Sequence, residues 1–198
     1  QRQMCIRDRV FVSDYGLKGI WMAAFHSVSA FCNAGFDILG TADNAFPSLT
    51  GYSGNILINV VIMLLIITGG IGFLTWDDIY RNKMNFKRYR MQSKIILMTT
   101  VCLIVFPAFF FFACDLKNLP AGERLLAAMF QSVTTRTAGF NTIDISEMSE
   151  ASKAVMILLM LIGGSPGSTA GGMKTTTFTV LIPVSYTHLR AHETDQYL

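Results

Sequence analysis

Long runs of this chain carry no charge, and short polar stretches separate them. Ile56–Leu74 and Ile95–Ala113 each extend for 19 residues without an Asp, Glu, Lys or Arg. As helices rising about 1.5 Å per residue, they match the roughly 30 Å of a bilayer's hydrocarbon core. Core helices of soluble domains seldom stay apolar on every face for that length. Both runs therefore predict membrane-spanning helices, and Ala154–Ile162 begins a third. Two shorter apolar segments, Ile20–Cys32 and Leu125–Val133, fall short of a bilayer and predict re-entrant helices. Each leads into an irregular, glycine-bearing stretch: Asn33-Ala34-Gly35-Phe36 and Thr137-Ala138-Gly139-Phe140. Non-helical backbone at membrane depth is tolerated only where protein buries it or water lines it, which makes a pore its natural setting.

The two units repeat one another. Ser27-Val28-Ser29 precedes the first glycine stretch, and Ser132-Val133-Thr134 precedes the second. After each comes a spanning run ending in a glycine pair, Gly69-Gly70 and Gly163-Gly164. Internal repeats of membrane proteins commonly surround a central pathway. Backbone carbonyls replace the hydration shell of a cation without the full charge that would trap it. Glycine reaches the positive φ that turns successive carbonyls toward an axis, and a re-entrant helix ends with its negative dipole end near the membrane centre. Taken singly, Gly35 and Gly139 read as ordinary turn residues; it is their repetition that favours a pore. Arg136, beside the second stretch, is expected to brace the turn through an acid, with Asp37 as the candidate partner.

The third spanning segment is interrupted by Gly163-Gly164-Ser165-Pro166-Gly167-Ser168-Thr169-Ala170-Gly171-Gly172. Five glycines and a proline in ten residues will not hold a helix, so an intramembrane loop is expected. Lys174 follows it, either as a functional cation at depth or as a side chain snorkelling to the interface. Gly167–Thr175 approximates a phosphate-binding loop, but Met173 separates Gly172 from the lysine and no strand precedes it, so nucleotide binding is not expected there.

Charge orients the chain. The Asp77–Lys94 loop holds six basic residues against two acids, whereas the loops on the other side are acidic or mixed. Excess positive charge marks the cytoplasmic side, so both short helices enter from outside. The composition agrees, with 52% hydrophobic and only 15% charged residues, against about a quarter charged in soluble domains. The net charge of +3 adds nothing further. The four cysteines are too scattered for a metal or redox motif. His26 reads as a packing residue of the first short helix.

These residues resemble the Ktr/Trk/HKT superfamily of potassium transporters, closest to pore-forming subunits of the Ktr type (KtrB). Phe25–Phe36 (FHSVSAFCNAGF) is similar to the second pore helix and filter of that family, and Phe130–Thr142 (FQSVTTRTAGFNT) to the third. Gly163–Gly172 with Lys174 is similar to the family's intramembrane gate loop. The form Gly-Gly-Ser-Pro-Gly-Ser-Thr followed by Lys174-Thr175-Thr176-Thr177 is what favours the Ktr type.

The resemblance implies an all-α integral membrane fold of repeated helix–pore loop–helix units, potassium-channel-like and incomplete, with two of four repeats present. Residues 10–76 form the second repeat, 77–94 a cytoplasmic loop and 95–183 the third repeat. Residues 1–9 and 184–198 read as non-native flanks, since both depart from the membrane pattern. The implied activity is potassium uptake across a bacterial plasma membrane by a multi-pass, homodimeric protein. A cytosolic nucleotide-binding regulatory subunit is implied as well. No cofactor, enzymatic activity or nucleic acid is expected; potassium is the transported ion, and sodium is the candidate coupling ion. The competing reading is a sodium- or proton-coupled carrier of another solute, although the long runs hold no Asp or Glu.

Overall fold

The computed structural model of the chain describes residues 16–40, 48–83, 85–115 and 119–195. All the long elements in these residues are helices. They are α1 (Leu17–Phe31), α2 (Ile56–Ile71), α3 (Phe73–Asn82), α4 (Met91–Cys114), α5 (Ala121–Thr134), α6 (Glu150–Leu161) and α7 (Thr175–Asp195). Two short helix–long helix pairs recur: α1 packs on α2, and α5 packs on α4. Contacts between α2 and α5 join the two pairs. Their shared core holds Met22, Ala23 and Ala30 from α1, Ile58, Ile62 and Ile66 from α2, and Phe130 and Val133 from α5.

By length and composition, α4 qualifies as a spanning helix, with 24 residues and a mean hydropathy of 2.6 over its most apolar 18. Met98, Phe106 and Phe109 stand exposed along it, as side chains facing hydrocarbon would. Pro107 lies inside α4 and removes the amide that would bond the carbonyl four residues back. The Ser132 hydroxyl of α5 reaches the backbone at this point, 2.7 Å from the Ile104 carbonyl oxygen and 3.4 Å from that of Leu103.

The predicted Ile56–Leu74 span is not one straight helix. It ends at Ile71, and α3 leaves at 99°. Gly72 makes the bend at φ +88°, a conformation that only glycine enters freely. The Asp77–Lys94 segment is correspondingly more ordered than a loop, since it holds the second half of α3, a 3-10 turn at Phe86–Arg88 and the start of α4. α2 starts at an Asn55 cap, and its buried Asn59 donates to the carbonyls of Tyr52, Ser53 and Asn55. At the other end of the chain, α7 runs past Pro183 to Asp195, so no break in the helix marks the boundary expected at Val184. Gln1–Arg9 lies outside the described residues.

Buried Asp78 ties α3 to α4. Its carboxylate accepts from the Ser93 hydroxyl and from the Arg90 amide at 3.2 Å, and stands 3.4 Å from Arg90 Nε. The Ser93 bond, then the Arg90 amide and guanidinium, hold its pKa below the ordinary 3.8 against the opposing effect of burial. A carboxyl depressed on folding stabilises above its unfolded pKa, and this contribution fades as pH falls through the folded value. Asp78→Asn is therefore expected to lower the melting temperature of the detergent-solubilised protein equally at pH 7 and pH 5. The difference from wild type should narrow only below about pH 4; a gap already closing between pH 7 and 5 would contradict the assignment.

Candidate pore turns and the loop beneath them

Both glycine stretches adopt the same backbone. In the first, Asn33 and Gly35 have φ of +50° and +70°; in the second, Thr137 and Gly139 have +66° and +83°. Ala34 and Ala138, between them, are not in the left-handed region. Alternation of handedness at every second residue is a backbone pattern by which successive carbonyls can turn toward one side. Thr137 is the costly member, because a β-branched residue at positive φ is an outlier, and left-handed backbone costs about 1–2 kcal/mol outside glycine. Strain of this kind concentrates at functional sites.

A matching pair of hydrogen bonds closes the turns. Ser29 Oγ donates to the Phe36 carbonyl at 2.9 Å, and Thr134 Oγ1 donates to the Phe140 carbonyl at 2.5 Å. The Ala34 and Ala138 amides bond back to Ser29 and Thr134 at 2.9 and 3.0 Å. One hydroxyl residue near the end of each short helix thus holds both sides of its turn. The repeated Ser-Val-Ser/Thr pattern pointed to these residues, while their partners became visible only in three dimensions.

The structure brings the two turns together. A Cβ added to Gly35 would collide with the Ala138 carbonyl oxygen and lie 2.9 Å from Gly139 Cα. One added to Gly139 would meet only Gly35 Cα, at 3.4 Å. A cavity of about 310 Å³ opens beside them, lined by Ala34, Thr134, Thr137, Gly139 and Asn141, with Met156 and Met160 of α6. The turns differ in their surroundings, for Phe140 is fully buried and Phe36 is 68% exposed. His26 packs against the rings of Phe25 and Phe140, with Nδ1 2.7 Å from the Met22 carbonyl, in keeping with a packing residue.

The expected Arg136–Asp37 pair does not form. Arg136 is buried beside Gly70 at the end of α2, and its Nε and Nη2 have no hydrogen-bond partner. Asp37 accepts from the Leu39 amide at 3.4 Å. The reason is directional: Arg136 precedes its glycine and points to α2, whereas Asp37 follows its own glycine and caps the chain beyond it.

The loop Gly163–Gly172 interrupts the third segment between α6 and α7 as expected, and docks on the other repeat. The Ser165 amide and hydroxyl both donate to the Gly70 carbonyl, at 3.0 and 3.1 Å, and the hydroxyl also reaches that of Ile71. The Thr169 amide donates to the Gly69 carbonyl at 3.2 Å. The last carbonyls of α2, which lack intrahelical partners, are thereby met by the loop. In return the Gly167 carbonyl accepts from the Phe73 amide, the first residue of α3, at 3.2 Å. Bonds between Gly163 and Met173 (2.9 Å) and between Met173 and Leu161 (3.0 Å) close the base of the loop. Lys174 Nζ turns back to the Ala170 carbonyl at 2.8 Å, so it braces the loop from within. Ser168 Oγ donates to the Ser165 carbonyl at 2.6 Å, and Pro166 lies between Ser165 and the turn at Gly167.

Paired short helices that end in glycine turns, with a loop docked on α2, make up a repeated helical assembly. A family model described as "TrkH: Cation transport protein" matches residues 4–197, and the chain belongs to that family. It is 41% identical over 179 residues to the potassium/sodium uptake protein NtpJ of Enterococcus hirae, covering 87% of this chain and 38% of the relative. It is 38% identical over 186 residues to the Ktr system potassium uptake protein B of Bacillus subtilis, covering 90% and 40%. The chain thus spans about two fifths of these relatives. The crystal structure of the potassium transporter TrkH from Vibrio parahaemolyticus has the same fold, with a TM-score of 0.72 at 21% identity, covering 93% of this chain and 39% of that one. The resemblance drawn from the glycine motifs is borne out.

The contacts around the two glycines predict unequal sensitivity. Gly35→Ala, with both a collision and a strained φ, is expected to destabilise the full-length protein more than Gly139→Ala, which carries strain alone. Strain by itself is worth about 1–2 kcal/mol. Melting curves in detergent compare the two, and equal losses would mean that the close approach at Gly35 is not kept.

Proposed function

We propose that this chain is the second and third repeats of a potassium-uptake protein, in which Asn33–Phe36 and Thr137–Phe140 supply two strands of a carbonyl-lined selectivity filter. The observation that carries the reading is the duplicated left-handed alternation at the ends of α1 and α5. Each turn follows the C-terminal end of its helix, so the negative ends of two helix dipoles favour a cation there without the full charge that would trap it. The names of the relatives support potassium as the ion, and the name of NtpJ supports sodium as a second ion or coupling ion.

In this reading Gly163–Gly172 with Lys174 is the gate. It lies under the turns and is held by hydrogen bonds to the end of α2, and conduction requires those of Ser165 to release. The basic Asp77–Lys94 segment faces the cytoplasm of a bacterial cell, and the chain crosses the plasma membrane several times. The full-length protein works as a homodimer with a cytosolic nucleotide-binding subunit, a partnership supported by the word "system" in the names of the Ktr relatives. A coupled carrier of another solute has less support, since neither α2 nor α4 contains an Asp or Glu.

The test is potassium uptake by the full-length protein, with its regulatory subunit, in cells lacking their own uptake systems. Growth at low potassium is expected. Gly139→Ser is expected to admit sodium as a stronger competitor, since a side chain at φ +83° disturbs the turn. Absence of uptake from a protein present in the membrane would refute the reading. Ser165→Ala, which removes the hydroxyl on Gly70 and Ile71, is expected to raise uptake by loosening the loop. Isotope flux measures this, and a lower flux at equal expression would count against the gate.

A further inference from the structure

One side chain of the loop touches the filter turn itself. Thr169 Oγ1 accepts from Asn33 Nδ2 at 3.2 Å and donates to the Phe31 carbonyl at 2.8 Å. Its amide is anchored on Gly69 at 3.2 Å. The site is close-packed: a Cβ on Gly69 would collide with the Phe31 carbonyl oxygen and lie 2.9 Å from Thr169 Oγ1. Asn33 is the first left-handed residue of its turn, at φ +50°, and its side chain is buried. Phe31 is the last residue of α1, so its carbonyl has no partner within the helix.

From this geometry we infer that Thr169 is a positioning residue for ion selectivity: a hydroxyl on the gate loop that fixes the conformation of filter residue Asn33 and occupies the Phe31 carbonyl. The inference rests on the proposed function and deepens it. With the loop docked, Asn33 is held by a partner outside its own turn, and the Phe31 carbonyl is satisfied. The Ser165 side of the loop can leave the end of α2 while the Thr169 hydroxyl stays on Asn33 and Phe31, so the turn keeps this conformation as cations pass. The gate loop and the filter turn are then linked through one hydroxyl. The second turn has no such link among the described residues; its corresponding residue, Thr137, has a buried hydroxyl without a partner.

Thr169→Val keeps the shape and removes the hydroxyl, while Thr169→Ser keeps the hydroxyl. Both are placed in the full-length protein with its regulatory subunit, and potassium uptake is measured against rising sodium. Thr169→Val is expected to lose roughly three- to tenfold in potassium-over-sodium discrimination, the scale of one hydrogen bond. Thr169→Ser should retain the wild-type ratio. Asn33→Gly, which accepts left-handed backbone but carries no amide, should lose a similar factor. Combining it with Thr169→Val should add little, because both remove the same bond. Should Thr169→Val fail to reach the membrane, Asn33→Gly against wild type decides the question. Changed flux with unchanged sodium competition, in either variant, overturns the inference and leaves the proposed function standing. A wild-type protein that takes up no potassium overturns both.

Discussion

The last turn of a helix leaves carbonyls without partners, and in a membrane protein neither water nor lipid supplies them. Here α2 ends at Gly69-Gly70-Ile71, and the loop between α6 and α7 donates to all three carbonyls through Ser165 and Thr169. The rest of the arrangement depends on this docking. It permits the 99° turn into α3, for Gly167 accepts from the first amide of that helix. It joins the two repeats at one level of the molecule, and it brings a loop hydroxyl to within hydrogen-bonding distance of a candidate filter residue. A buried loop is costly unless its own polar groups and those of its neighbours are matched, and here the loop and the end of α2 answer each other.

Above that level, the paired turns use little chemistry. Two short helices end in the same handedness pattern, each closed by one hydroxyl on a phenylalanine carbonyl. Among the described residues no ion pair involves a residue of either turn, and the buried Arg136 lies on the α2 side of its turn. In the proposed reading, what acts on a cation is oriented backbone, which suits an ion that must pass rather than stay.

Much of this was legible in the sequence. The short apolar helices, Ala-Gly-Phe at 34–36 and 138–140, and the glycine and proline density of 163–172 each carry a local physical signal: length, left-handed backbone and helix breaking. The long α4 was equally plain from its uncharged run. What escaped was whatever depends on distant partners. The glycines at 69, 70 and 72 do not by themselves say where α2 stops, because the loop that receives its carbonyls lies some 95 residues further along the chain. The Arg136–Asp37 expectation failed for a related reason, since charge alone does not tell which way a side chain leaves a turn. Thr169 gave no sign of its role, as its contact with Phe31 joins residues 138 apart.

The central claim is that carbonyls of Asn33–Gly35 and Thr137–Gly139 face one ion path. Anomalous diffraction from crystals of the full-length protein grown in rubidium, a potassium surrogate, tests it most directly. The account predicts rubidium peaks on an axis bordered by both turns, within coordinating distance of their carbonyl oxygens. Rubidium bound only elsewhere, with these carbonyls turned from the path, would contradict it.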